Sequence, residues 1–321
     1  MPVFKNLNNL SSYENQYANL SKIIMTSGTE ELNERTKLKT KRIPMQQFSV
    51  VNTPILLGKT VYWKSAIEEI LWIMQKGSNN IHDLRPHIWD EWADEDGSIG
   101  KAYGYQISTY KQVEKLLDDL SKNPSSRRGV LNLWNVADLD EMNLVPCCYS
   151  SVWNITDGRL NCMLTQRSGD IGLGVPFNTL QYYALLKMFA AHLHVNTGIL
   201  MHCIADAHIY ENQYEGMNRY INNAIILNEL IDDPNNIPKF DEEKFVDRSL
   251  NDLHLKISSE EEYNSIIDEA TKISGNYDQD DIIYPELILN TEKDNFWDFT
   301  IDDFSMLNYH PMNPIKFDVA I

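Results

Sequence analysis

The chain has 321 residues, 43% of them hydrophobic, and a formal net charge of −18. Length and apolar content allow a sizeable core within one large domain and argue against global disorder. The acidic balance argues against a nucleic-acid or anionic-membrane surface, which needs basic patches, but leaves room for a locally basic pocket on a small anion. No apolar run reaches the ~18 residues of a membrane helix, and the N-terminus lacks a signal-peptide pattern. Cys147, Cys148, Cys162 and Cys203 show no C-x-x-C spacing, so a reducing cytoplasm without structural metal is the expected setting.

Residues 7–28 read as a helix stopped at Ser27-Gly28. A basic run follows over 34–42, then a strand over 48–51. Ile67, Ile70, Leu71 and Met74 recur at helical spacing and predict a buried amphipathic helix over 65–76, with Glu69 among its apolar positions. Residues 89–92 and 100–104 read as loops, and 110–123 as a helix broken by Pro124. Strands are predicted over 130–136, 151–155 and 160–165, the last two joined by a hairpin turn at Thr156-Asp157-Gly158. An apolar helix over 178–194, a strand over 199–204 and a helix over 207–222 follow. Residues 232–281, rich in Asp, Glu, Asn and Ser, read as an acidic surface insertion or a flexible excursion. Alternation returns over 315–321.

The chemistry concentrates between Leu144 and Tyr210. Cys147 follows Pro146, and a thiolate there would be a good nucleophile near Arg127, Arg128 or Arg167; a buried cysteine is otherwise a small hydrophobe. Arg127-Arg128 after two serines, and Arg167 before Ser168, suit a phosphate monoester. Arg35 is either a further phosphate ligand or a solvated loop residue. Glu69 on an apolar face needs a partner or a proton, and such carboxyls relay protons. Asn178 is either a helix N-cap or a carboxamide that reads a carbonyl beside an N–H, as on a uracil edge. His192, His194, His202 and His208 do not fall at a convincing metal spacing.

Taken together, Glu69-Ile70-Leu71-Trp72, Trp89-Asp90-Glu91-Trp92, Tyr103-Gly104, Ser126-Arg127-Arg128, Pro146-Cys147, Gln166-Arg167-Ser168 and the Val319-Ala320-Ile321 end resemble thymidylate synthase. The resemblance covers nearly the whole chain outside the acidic stretch. It implies an α+β fold: a single domain over 1–321, three-layer and α/β/α-like, around a large mixed sheet that forms the interface of a homodimer. It implies methylation of dUMP to dTMP by 5,10-methylenetetrahydrofolate, with Cys147 attacking uracil C6. By the same resemblance Glu69 and Tyr103 assist proton transfer and Asn178 reads the uracil. Arg35, Gln166, Arg167 and Ser168 bind the substrate, while Arg127 and Arg128 reach it from the second subunit. His208 and Tyr210 hold the sugar, and Trp89, Asp170, Leu173, Gly174, Phe177 and Ile321 form the folate side. No membrane or nucleic-acid partner is expected.

Two positions depart from the family pattern. Cys148 stands where the family often has His, and the Arg35 loop, usually Gly-rich, reads Arg-Thr-Lys-Leu-Lys-Thr. A related hydroxymethylase, in which water rather than hydride quenches the intermediate, is the nearest rival. Asn178 favours uracil over cytosine, where relatives tend to carry Asp. A non-catalytic nucleotide-binding module is the other alternative.

Overall fold

The computed structural model describes residues 13–232, 259–274, 284–290 and 292–320. Helix α1 (Tyr13–Ser27) stops at Gly28 as predicted; residues 7–12 of that prediction lie outside the described residues. β1 (Thr29–Leu32) and β2 (Lys39–Val50) form an antiparallel pair, so the end of the basic run, from Lys39 to Arg42, is strand. Lys39 meets Glu30 and Arg42 meets Glu31, each at 2.9 Å, and these cross-strand pairs offset the poor strand propensity of lysine. The strand predicted over 48–51 is only the end of β2.

α2 (Trp63–Leu71) buries Ala66, Ile67, Ile70 and Leu71 and widens into a π-helical turn, Trp72–Lys76, closed by Gly77 at φ 60°. Such turns are rare and gather near functional sites. The helix predicted over 110–123 is α4 (Gln112–Lys122); a short helix that the sequence reading did not anticipate, α3 (Gly104–Tyr110), precedes it and breaks from it at Lys111, φ 50°. β3 (Gly129–Asn132) ends before its predicted 136. β4 (Cys148–Thr156) and β5 (Arg159–Gln166) are joined by the expected turn, with Asp157 and Gly158 at φ 53° and 69°. Both left-handed residues suit the twist of a two-residue hairpin.

β6 (Gly169–Asp170) leads into α5 (Gly174–His192), which begins four residues earlier than predicted, at Gly174 rather than 178. β7 (Asn196–Tyr210) contains the strand predicted over 199–204 but runs on into the predicted helix. His208 lies between Arg42 of β2 and Asp170 of β6, and this pairing on both sides keeps residues 206–210 extended. The following helix, α6 (Tyr214–Asp232), therefore starts at 214. α7 (Glu260–Ser274) and the hairpin β8 (Glu286–Leu289) with β9 (Phe304–Leu307) complete the described elements.

The strand order is β1-β2-β7-β5-β4-β3, with β6 also on β7; β5 and β6 run parallel to β7 and the other pairs are antiparallel. This is the mixed sheet of an α+β fold. α1 and α5 cover one sheet face, α6 packs on α1 and α2 on α5, so the three layers stack as sheet, helix, helix. On the other face Met163 is exposed and Val152, Met201 and Cys203 are half-buried.

Of the acidic stretch, residues 259–274 are described, and they are not a flexible excursion. Tyr263, Ile266, Ile267, Ala270 and Ile273 of α7 pack against Ile226, Leu227 and Leu230 of α6. The charged residues of α7 occupy its other side, the ordinary pattern of a surface helix. The alternating tail forms no strand over 315–320; Phe317 and Ala320 are buried in it.

Trp153, fully buried on β4, meets Phe189 of α5 at 4.9 Å between ring centroids. Trp153→Ala should destabilise the fold by about 3–5 kcal/mol, read as a lower urea midpoint. A loss under ~1 kcal/mol would mean that this contact does not anchor the sheet to its helix layer.

Candidate active site

Cys147 sits at the last loop position before β4, and the ladder with β5 slips between Cys148 and Ser150. Such a bulge re-aims side chains beside a site. The Cys147 N–H donates to the Tyr103 hydroxyl at 3.1 Å, and its carbonyl accepts from the Arg167 N–H at 2.9 Å. The guanidinium of Arg167 donates to the carbonyls of Pro146 (3.0 Å) and Val145 (2.8 Å), clamping the loop that presents the thiol. Burial pushes the Cys147 thiol up; Arg167, the Tyr103 hydroxyl and Arg35 pull against it.

Tyr103 holds φ 43° and ψ −103° just before α3. That is outside the regions open to bulky L residues, and such strain concentrates where function requires it. Its ring meets Trp89 edge-on at 5.0 Å. The Trp89 indole N–H donates to Glu69 Oε1 at 3.0 Å, and the Gln181 amide donates to Glu69 Oε2 at 2.7 Å. Burial lifts the Glu69 carboxyl to about 7 against these two bonds. At neutral pH it therefore exists in both forms and can give or take a proton.

Asn178 lies in the second turn of α5, so it is not the N-cap that one reading of the sequence allowed. Its Oδ1 accepts from Gln166 at 3.1 Å and its Nδ2 donates to Gln181 at 3.2 Å. Gln166 also donates to the Ser168 carbonyl at 2.8 Å and meets His202 Nε2 at 2.7 Å. Cys148 lies in the same layer, its thiol 3.5 Å from Gln166 Oε1.

The anionic and apolar side begins at Asp170. Its Oδ1 accepts the N–H groups of Gly172 (2.9 Å) and Leu173 (3.2 Å), and its Oδ2 accepts from Gln213 at 3.1 Å. Leu173, Gly174 and Phe177 open α5 beside it, each half-buried. His208 and Tyr210 follow on β7 with their rings edge-on at 5.0 Å. Arg35, held in its turn by Asn33, bonds the Tyr210 hydroxyl and donates to the Ala320 carbonyl at 3.3 Å. Ile321 lies outside the described residues.

Arg127 and Arg128 are the exceptions. Both are exposed on the turn before β3. Gly129 pairs with Trp153, six residues along β4 from Cys147, or about 20 Å at ~3.3 Å per residue. They cannot reach the thiol of their own chain.

The arrangement is a nucleophile under two guanidiniums, a titratable carboxyl linked by amides to an open carboxamide, and a carboxylate beside an apolar wall. The family model described as thymidylate synthase matches residues 15–321. A thymidylate synthase of Clostridium beijerinckii is 36% identical over 319 residues, covering 97% of this chain and 100% of the relative. Thymidylate synthase 1 of Bacillus subtilis is 34% identical over 335 residues, at 97% and 100% coverage. The solved structure of the thermostable thymidylate synthase A from Bacillus subtilis superposes with a TM-score of 0.73 at 30% identity, again at 97% and 100% coverage.

The chain belongs to the thymidylate synthase family. Its chemistry is accordingly that of a methyltransferase, and the pattern of motifs predicted that assignment. Within this thymidylate synthase site, sequence reasoning missed Gln181, Gln213, Lys59 and the buried His202. The one available signal for Gln181 was a polar residue on an otherwise apolar helix, one turn after Asn178. Lys59 is buried, donates to the Gly172 carbonyl at 2.6 Å and lies 4.2 Å from the Phe317 ring; burial pulls its ammonium down to about 7.

Arg167 makes a local prediction. Removing a cation that favours the thiolate raises the thiol further, so less thiolate is present at a given pH. Arg167→Ala should slow alkylation of Cys147 by iodoacetamide at pH 8 several-fold, which peptide mass mapping follows. An unchanged rate would mean that the guanidinium only clamps the loop.

Proposed function

We propose that this member of the family converts dUMP to dTMP with 5,10-methylenetetrahydrofolate, releasing dihydrofolate. The observation that carries the reading is the convergence of Cys147, Arg167 and Arg35 at one end of a connected polar layer that runs through Asn178 to Glu69. Cys147 as thiolate adds to uracil C6, and the electron pair of the C5–C6 bond moves towards C5 and O4. That step turns an unreactive ring carbon into a carbon nucleophile. Loss of the C5 proton and expulsion of the thiolate later restore the double bond, which returns the enzyme unchanged.

Arg35, Arg167 and Ser168 bind the phosphate, and His208 with Tyr210 holds the sugar hydroxyl. Asn178, backed by the buried Gln166, binds the ring: it retains one donor and one acceptor beyond its protein partners, enough for the uracil O4 and N3–H. Glu69 exchanges protons with O4 through water, and Tyr103 assists at C5. The residues facing the folate suit a pterin: an apolar wall of Trp89, Leu173 and Phe177 for its ring faces, Gly174 for close approach, and the Asp170 carboxylate for its N–H edge. The folate supplies the one-carbon unit and the hydride when bound. Ile321 closes over the pair and excludes water.

The protein acts as a homodimer through the open sheet face, each copy lending Arg127 and Arg128 to the phosphate of its partner. The distance from these arginines to their own Cys147 and the half-buried Met201 and Cys203 support this reading. Residues 1–321 make one catalytic domain in which 232–281 is peripheral. Nucleotide synthesis places it in the cytoplasm, where its four free cysteines stay reduced. Among the described residues no helix is long and apolar enough to cross a membrane.

The test is product analysis: incubation with dUMP and methylenetetrahydrofolate, dihydrofolate followed by absorbance, and the nucleotide identified by mass. dTMP with one dihydrofolate per turnover is expected. Hydroxymethyl-dUMP without dihydrofolate would make the protein a hydroxymethylase, and no product would point to a binding module.

A further inference from the structure

Asn178 can read a uracil only in one of its two amide orientations. A ring with a 4-oxo group and an N3–H needs the carboxamide nitrogen at position 4 and its oxygen at position 3. A cytosine ring, with a 4-amino group and a bare N3, needs the reverse. Something in the protein must prevent the flip, because the two orientations have the same shape.

One anchor is Gln166. The Ser168 carbonyl can only accept, so the Gln166 nitrogen faces it at 2.8 Å and faces Asn178 Oδ1 at 3.1 Å. The Gln166 oxygen then faces His202 Nε2 at 2.7 Å, which must carry the proton. His202 Nδ1 is left without a proton and faces the Thr179 hydroxyl at 3.0 Å; that hydroxyl shares its one proton with the Val175 carbonyl at 2.8 Å and accepts from Tyr13 at 3.1 Å. Burial pulls His202 down to about 3, so it stays neutral and one tautomer serves.

The other anchor is Gln181. The Trp89 N–H can only donate, so Glu69 Oε1 accepts, and above pH 7, where the carboxylate is the main form, Oε2 accepts as well. The Gln181 nitrogen therefore faces Glu69, and its oxygen faces Asn178 Nδ2 at 3.2 Å. A flip of Asn178 would set nitrogen against nitrogen at Gln166 and oxygen against oxygen at Gln181. Each such buried mismatch costs about 1–3 kcal/mol.

We infer that Gln181 is a positioning residue for specificity: bridging Glu69 to Asn178, it holds the carboxamide in the orientation that accepts a uracil nucleotide and rejects a cytosine nucleotide. The inference rests on the reading of Asn178 under the proposed function. It adds that discrimination is held from the Glu69 side as well as from Gln166. Gln181 itself does not touch the ring.

The test is the ratio of the dissociation constants for dCMP and dUMP, measured by calorimetry on the full-length protein well above pH 7, where Glu69 is ionised. Gln181→Leu keeps the size of the side chain and removes both bonds; it should lower the ratio about tenfold. Gln181→Glu should keep the ratio within about threefold of the unsubstituted protein. Two carboxyls in contact share a proton, so the protonated one donates to Glu69 while its other oxygen still accepts from Asn178. A merely structural role would not separate the two variants. If Gln181→Leu fails to fold, Gln181→Met carries the same prediction. An unchanged ratio in the apolar variant, or an equal fall in both variants, overturns the inference. If the unsubstituted protein binds neither nucleotide, the reading of the whole site falls and the inference with it, a result distinct from any change at Gln181.

Discussion

Replacing Cys147 by serine should lower dUMP turnover on the order of 10³-fold or more while dUMP affinity stays within a few fold. The hydroxyl has nearly the shape of the thiol but ionises far less readily. The neighbouring Tyr103 hydroxyl is held at the Cys147 N–H and pushed well above its ordinary range by burial. Under the proposed function the phosphate and sugar contacts fall to Arg35, Arg167 and β7 rather than to the substituted atom, so binding should survive. Dihydrofolate formation and dUMP calorimetry separate the two effects. Turnover within tenfold of the unsubstituted protein would remove the covalent step.

Glu69→Gln should lower kcat by about 10²–10³-fold, because the amide fills the same space but cannot pass a proton. The variant also carries a stability signature. The Glu69 carboxyl is raised by burial from its ordinary 4.5 to about 7 in the folded protein. A raised carboxyl favours folding below its unfolded value, and that contribution is lost as pH rises through the folded value. Between pH 4.5 and 7 the unsubstituted protein should lose on the order of 3 kcal/mol through this group, and Glu69→Gln should not. Urea unfolding of both proteins at pH 5 and pH 8 measures the difference. Parallel changes in the two proteins would mean that Glu69 is not held near neutrality.

Local chemistry was legible in the sequence where it decided structure locally. The Asp157-Gly158 turn was predictable because only a left-handed pair closes that hairpin, and the buried face of α2 because its apolar spacing is helical. β7 was misread beyond residue 204 because Asp206, His208 and Tyr210 look like the start of a polar helix. They are strand because β2 and β6 grip both edges, and that pairing lies some 160 and 40 residues away in the chain. The start of α5 was hidden by Pro176, which a first helical turn tolerates. The stretch holding α7 reads in the sequence as either an acidic surface insertion or a flexible excursion, because the apolar partners that order α7 sit on α6.

The site divides the same way. Cys147, Arg167, Asn178 and Asp170 stand in short motifs whose neighbours advertise them. Gln181, His202 and Lys59 do not, since each acquires its meaning from a partner on another element: Glu69 on α2, Gln166 on β5, Gly172 before α5. Arg127 and Arg128 were visible as a motif, but only the strand register shows that their own Cys147 is out of reach.

The most direct test of the account uses 5-fluoro-dUMP with methylenetetrahydrofolate. Fluorine at C5 cannot leave as the proton does, so a thiolate adduct that turns over with dUMP should accumulate with this analogue. Intact mass should rise by nucleotide plus folate, and peptide mapping should place the adduct on Cys147. An unmodified protein, or an adduct on Cys148, Cys162 or Cys203, would contradict the account.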